Sequence, residues 1–150
     1  MKAGRFTLAL DCQPERWLLS GDQEIQVEGE NLIYPGSTLY PGAIYPYAYS
    51  AKIINPAFAA NPIFVVYGND TDGTFTVNSN VITIEDAPED GVVIDSVIMD
   101  SYSPDGLTNL NGIVRFSTGA FPRLISGENV VSWDGSALQR IIMYPRWWDL

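Results

Sequence analysis

Residues 75–84 read Phe75-Thr76-Val77-Asn78-Ser79-Asn80-Val81-Ile82-Thr83-Ile84. Two runs rich in β-branched residues flank three small polar ones. β-Branched side chains fit a pleated, half-buried surface. Asparagine tolerates the left-handed backbone that a tight turn demands. The stretch therefore predicts a β-hairpin. Just ahead of it, Asn61-Pro62 precedes Ile63-Phe64-Val65-Val66-Tyr67. A short, wholly apolar run bounded by turn residues is the signature of a strand buried on both faces.

Working outward, the same texture recurs. Arg5 to Leu10 alternates as a strand does, and Trp17 to Leu19 is a short apolar run. Glu24 to Glu28 alternates strictly, with Ile25 and Val27 on one face. Further strands are predicted at Val92 to Asp95, Ile113 to Phe116, Asn129 to Trp133 and Leu138 to Tyr144. Asp134-Gly135 is a strong turn signal between the last two. Helix signals are weak: Ala120 to Leu124 offers one turn, with Pro122 suited to a first helical position. Short strands dense in turn residues predict an all-β chain, a two-sheet antiparallel sandwich or jelly roll. A length of 150 residues suits one domain, taken as 1–150. Phe64, Val66, Ile82, Ile84, Val93, Phe121, Val131 and Ile142 are the expected core, joined by Trp17, Trp133 and Cys12.

One stretch breaks the pattern. Residues 34–49 read YPGSTLYPGAIYPYAY, with Tyr-Pro steps at Tyr34, Tyr40 and Tyr45. Proline cannot donate to a β-ladder, so a loop or arm is expected over about 34–50. Its tyrosines can cover the domain's own core edge, dock on a neighbouring subunit, or stack on sugar rings. Tyr40, Tyr45, Tyr47 and Tyr49 are thus candidate protein or glycan contacts. So are Arg146, Trp147 and Trp148, where adjacent strand residues point to opposite faces. That segment serves equally well as an anchor for the chain's end.

Composition excludes several chemistries. The sequence contains no histidine and one cysteine, so Ser-His and Cys-His nucleophile pairs are impossible. A Cys/His zinc cluster falls with them. Net charge is −10 with only eight basic residues, scattered along the chain, which argues against nucleic acid. Asn69-Asp70-Thr71-Asp72-Gly73 resembles the start of a calcium loop but lacks the distal glutamate and flanking helices. It reads as a hairpin turn. Glu85 to Gly91 reads as a solvated loop. No carboxylate pair can be assigned to glycosidase chemistry from sequence. Neither catalytic residues nor a cofactor or metal is expected, and no stretch is long and apolar enough for a membrane span or a signal peptide.

Several pieces occur in an order that resembles the distal tail proteins of siphophages, the phage tail component family. Cys12-Gln13-Pro14-Glu15-Arg16-Trp17 is similar to the family's Cys-x-Pro-x-Arg-aromatic segment. Asn55-Pro56, Asn61-Pro62 and the strand ending Tyr67-Gly68 follow, then Val93-Ile94-Asp95-Ser96. Phe121-Pro122-Arg123-Leu124, Ser126-Gly127-Glu128-Asn129-Val130-Val131 and Pro145-Arg146-Trp147-Trp148 complete the set, which spans Asp11 to Leu150. The resemblance implies a galectin-like β-sandwich and a structural, non-enzymatic role in the virion. It implies an adaptor at the tail tip, made in the bacterial host cytoplasm, that links tail tube and tail hub to receptor-binding proteins. It also implies a homo-oligomer, a hexameric ring in that family. The family's ring-forming N-terminal domain precedes the matched region, which here opens ten residues after Met1, so the expectation is either a short tail protein or one domain of a longer one; the tyrosine-proline stretch is a candidate substitute for contacts between subunits. The alternative function is a virion-associated carbohydrate-binding module that takes host-surface glycan.

Overall fold

The computed structural model describes residues 16–17, 22–26, 30–31 and 48–149, with side chains for 22–25 and 50–147. Thirteen strands are present among them: β1 Arg16–Trp17, β2 Ile25–Gln26, β3 Glu30–Asn31, β4 Ala48–Asn55, β5 Ile63–Tyr67, β6 Thr71–Val77, β7 Asn80–Ala87, β8 Val92–Asp95, β9 Asp100–Tyr102, β10 Val114–Phe116, β11 Gly127–Asp134, β12 Arg140–Tyr144 and β13 Trp148–Asp149. A six-stranded sheet has the order β10-β7-β6-β11-β4-β3, and a five-stranded sheet the order β2-β12-β5-β8-β9. β1 and β13 form a separate pair. All pairings are antiparallel. The chain is an all-β, two-sheet sandwich.

Period-2 alternation decides which side chains meet between the sheets. Phe75, Val77, Ile82, Ile84, Val131 and Trp133 come from the larger sheet, and Phe64, Val66, Val92, Ile94, Ile141 and Met143 from the smaller; all are buried in one cluster. Phe64 and Phe75 meet across the gap with ring centroids 5.4 Å apart and planes tilted by 56°. Of the expected core, Phe64, Val66, Ile82, Ile84 and Val131 fall in this cluster, as does Trp133. Val93 and Ile142 are buried as well. They belong to the opposite face of the five-stranded sheet, where Ile142, Val65 and Val93 stand in register. Phe121 is only partly buried and packs its ring on Phe116, at 4.5 Å between centroids.

The expected 75–84 hairpin is present as β6 and β7, with Asn78 at φ 55°. Two other expected turns are different in kind. The stretch Asn69 to Gly73 is not a hairpin turn, since β6 already begins at Thr71; residues 68–70 and 135–139 carry the chain from one sheet to the other, as do residues 88–91. These three crossings interlock at one end of the sandwich. Gly68 N–H donates to the Pro88 carbonyl at 3.0 Å, Asp70 N–H to that of Ala87 at 2.9 Å, and Gln139 N–H to that of Tyr67 at 2.9 Å. Asn69 Nδ2 donates to the Ser136 carbonyl at 2.9 Å. A sequence turn signal marks a reversal but not which sheet the next strand joins; that depends on the face it must bury.

Further expectations are corrected. The loop expected to run to about residue 50 gives way at Ala48 to β4, which pairs along its whole length with β11. The last Tyr-Pro step is Tyr45-Pro46, and no proline interrupts Ala48–Asn55, so nothing there bars a ladder. The Glu85–Gly91 loop begins later than expected, because β7 runs to a buried Ala87. Ala120–Leu124 forms no helical turn; Leu124 instead exchanges backbone bonds with Ala60 at 2.8 and 2.9 Å. The Arg5–Leu10 strand and Cys12 lie outside the described residues, and Trp17 is placed only by its backbone in β1.

Candidate functional site

The most unusual surface lies between β8 and β10. β8 ends at Asp95, whose buried carboxylate Oδ1 accepts the N–H groups of Val97 at 2.8 Å and Ile98 at 3.3 Å. This ties down the turn Ser96–Met99, and Ser96 N–H binds the Pro62 carbonyl at 3.1 Å. Met99 sits at φ 56°, a region sparsely populated by long side chains. The chain then runs out along β9 and folds back on itself. Tyr102 bridges to Asn109, and Leu110 N–H reaches the Ser101 carbonyl at 2.7 Å.

The tip of this arm, Ser103-Pro104-Asp105-Gly106-Leu107-Thr108, is a Pro-Asp-Gly turn. Ser103 N–H donates to the Thr108 carbonyl at 2.9 Å and Gly106 N–H to that of Ser103 at 2.7 Å. The Asp105 carboxylate accepts the Ser103 hydroxyl and, at 3.0 Å, the Leu107 N–H. The Ser103 hydroxyl first, then the Leu107 amide, hold Asp105 below the usual carboxylate range.

Between turn and tip is an open cleft of about 370 Å³, lined by Ile98, Asp100, Tyr102, Leu107, Thr108 and Asn109. Its polar groups are largely engaged internally. Asp100 Oδ1 accepts Ser101 N–H at 3.0 Å, Asn109 Nδ2 at 3.2 Å and Asn111 Nδ2. Asn109 Oδ1 accepts Asn111 N–H at 3.1 Å. The Tyr102 hydroxyl lies 3.4 Å from Asp95 Oδ2. Burial, then the Asp95 charge, pushes the Tyr102 phenol above its ordinary value. The aliphatic groups, by contrast, face water: Ile98 is 61% exposed, Met99 71% and Leu107 85%. Val97-Ile98-Met99 thus form a run of three consecutive exposed apolar residues, the kind of surface that marks an interaction site when it is continuous with others.

The residues singled out from sequence fare differently. Tyr40, Tyr45 and Tyr47 lie outside the described residues. Tyr49 lies in β4, in register with Trp133 of β11 and Asn31 of β3. Trp147 is buried in the core cluster, so it fastens the chain end and is not displayed to a partner. Arg146 pairs with Asp22 at 2.9 Å. Trp148 opposes Trp17 in the β1–β13 pair. None of the partners named for them lines the cleft. The signals that locate the arm were the apolar run Val97-Ile98-Met99 and the Pro104-Asp105-Gly106 turn. Neither resembles a catalytic or ligand motif.

Compared with known proteins, the chain matches no family model, no curated protein and no solved structure.

Proposed function

We propose that this chain is a non-enzymatic structural adaptor of a bacteriophage tail tip, of the distal tail protein kind, which joins the tail tube and hub to the host-recognition apparatus. The supporting observation is where the residues of the resemblance fall. Asn55 donates through Nδ2 to the carbonyls of Phe58 at 2.6 Å and Ile125 at 3.1 Å and accepts the Ala57 N–H at 3.0 Å. Asn129 ties Ile125 and Gly127 to Asn78. Pro62 holds Ser96, and Leu124 bridges to Ala60. Pro122 and Trp147 are buried. Those residues of the resemblance that are described thus fasten loops to a sandwich, as a family selected for shape and assembly would require.

A glycan-binding role has less support. Sugar recognition uses hydrogen-bonding groups that converge on free space, whereas those of the cleft are mostly bonded to one another. Electron microscopy of intact particles, with the chain labelled, tests the adaptor reading. Label at the tail tip in a ring of copies is the expected result; particles without the label overturn it.

A further inference from the structure

We propose that the cleft between the Ser96–Met99 turn and the Ser103–Thr108 tip docks an apolar side chain of a protein partner whose surrounding surface is rich in lysine and arginine. The inference rests on the adaptor reading only in that the domain works by docking.

The apolar half of the proposal comes from the rim. Ile98 of the turn and Leu107 of the tip both line the cleft and are among the most exposed large hydrophobic residues described, with Met99 next to Ile98 in the chain. Both carriers are braced by hydrogen bonds within the arm itself. Asp95 caps the turn, and Asp105 caps the tip. A preorganised surface loses little conformational entropy on binding, which is where affinity is otherwise spent. An apolar anchor in a desolvated pocket is the usual centre of a protein interface.

The basic half comes from charge. From Glu89 to Val114 the chain carries Glu89, Asp90, Asp95, Asp100 and Asp105 and no lysine or arginine. Elsewhere Lys52 pairs with Glu128, Arg115 with Glu85 and Arg146 with Asp22, while Arg140 lies over the Tyr67 ring at 4.2 Å. Asp100 lines the cleft, Asp105 precedes its lining residues Gly106 and Leu107, and neither makes an ion pair among the described residues. A second copy of this chain would bring the same carboxylates to the interface, against a net charge of −10 on each. A basic surface complements them and gains in association rate.

The test is a titration of the ¹⁵N-labelled full chain at low ionic strength, followed by amide shifts. The probes are Lys-Trp-Lys amide, Glu-Trp-Glu and methyl β-galactoside. The expected result is saturable movement of Ile98, Asp100, Tyr102, Leu107 and Thr108 with the basic peptide. Binding should weaken with added salt and be at least about tenfold tighter than that of the acidic peptide. The double variant Ile98→Asp, Leu107→Asp should lower that affinity by at least about tenfold, with the rest of the spectrum unchanged because both side chains are exposed. Equal affinity for the two peptides, saturation by the glycoside instead, or no saturable shift overturns the inference. Each of those results leaves the location of the chain in particles untouched. Absence of the chain from particles would equally leave the peptide affinity standing.

Discussion

Asn78 Nδ2 donates to Asn129 Oδ1 at 2.9 Å, which joins the tip of the β6–β7 hairpin to the start of β11. Asn129 is fully buried, yet every polar atom of its side chain is used. Oδ1 also accepts Ile125 N–H at 2.8 Å, and Nδ2 donates to the carbonyls of Ile125 at 2.9 Å and Gly127 at 3.0 Å. Such a residue is dear to lose, because its partners stay buried without replacement. Asn129→Ala should destabilise the fold by about 2–4 kcal/mol. A double-mutant cycle with Asn78→Ala should show a coupling of roughly 0.5–3 kcal/mol in urea unfolding. Strict additivity would mean that the hairpin and β11 are held by something else.

The interlocked crossings depend on Gly68. A methyl group at that position would overlap the Ala87 carbonyl oxygen, which is backbone and cannot swing aside. Gly68→Ala should cost about 1–3 kcal/mol or more by overpacking. Gly127→Ala provides the contrast. Its Cβ would meet open space, and only the positive φ of 87° opposes it. About 1–2 kcal/mol is expected there. Thermal unfolding of both variants checks the order.

Acid should loosen the Ser103–Thr108 tip before the sandwich. The Asp105 carboxyl in the folded chain titrates below its ordinary 3.8, chiefly through the Ser103 hydroxyl and the Leu107 amide. A depressed carboxyl contributes stability that is present above the unfolded value and is lost as pH falls through the folded one. The Leu107 amide shift should therefore move as pH drops below the ordinary carboxylate range, while Phe64 and Phe75 in the core stay fixed. Asp105→Asn should abolish that low-pH movement. A Leu107 shift that titrates identically in the variant would sink the assignment.

The strands were legible where alternation was clean. The 75–84 hairpin and Asn129–Trp133 carry β-branched and aromatic residues at period 2, and packing agrees with propensity there; Ile63–Tyr67, apolar throughout, is a strand as expected but buries only Phe64 and Val66, with Ile63, Val65 and Tyr67 half-buried on its other face. β4 was not legible. Its inward positions are Ala51, Ile53 and Asn55, and an asparagine or alanine does not announce a buried face. Its membership is decided by β11, some seventy residues on in the chain, as a non-local pairing. β9 was missed for a related reason: three residues, Asp-Ser-Tyr, are ordered by the Asp100, Asn109 and Asn111 network and carry no apolar period. The cleft shared that obscurity. Its turn chemistry could be read from Pro104-Asp105-Gly106, but Ile98 and Leu107 line one cleft only once the chain after β9 has folded back.

The segment Tyr144-Pro145-Arg146-Trp147-Trp148 should be needed for a stable fold, and Trp147 should account for most of that need. Among the described residues, three of its interactions can be ranked. Arg146 makes an ion pair with Asp22 at 2.9 Å, with both side chains partly exposed. Such a pair contributes roughly 0–1 kcal/mol after screening. β13 pairs with β1 over two residues only, Trp17 with Trp148 and Arg16 with Asp149. Trp147 is buried in the same cluster as Phe64 and Phe75. Truncating a buried tryptophan to alanine costs about 3–5 kcal/mol, several times the ion pair. Trp147→Ala should thus lower the unfolding midpoint nearly as far as deletion of Arg146 to Leu150. Asp22→Asn, which removes only the ion pair, should leave the midpoint almost unmoved. If the Asp22 variant fell as far as the Trp147 variant, the chain end would be held by charge and not by burial.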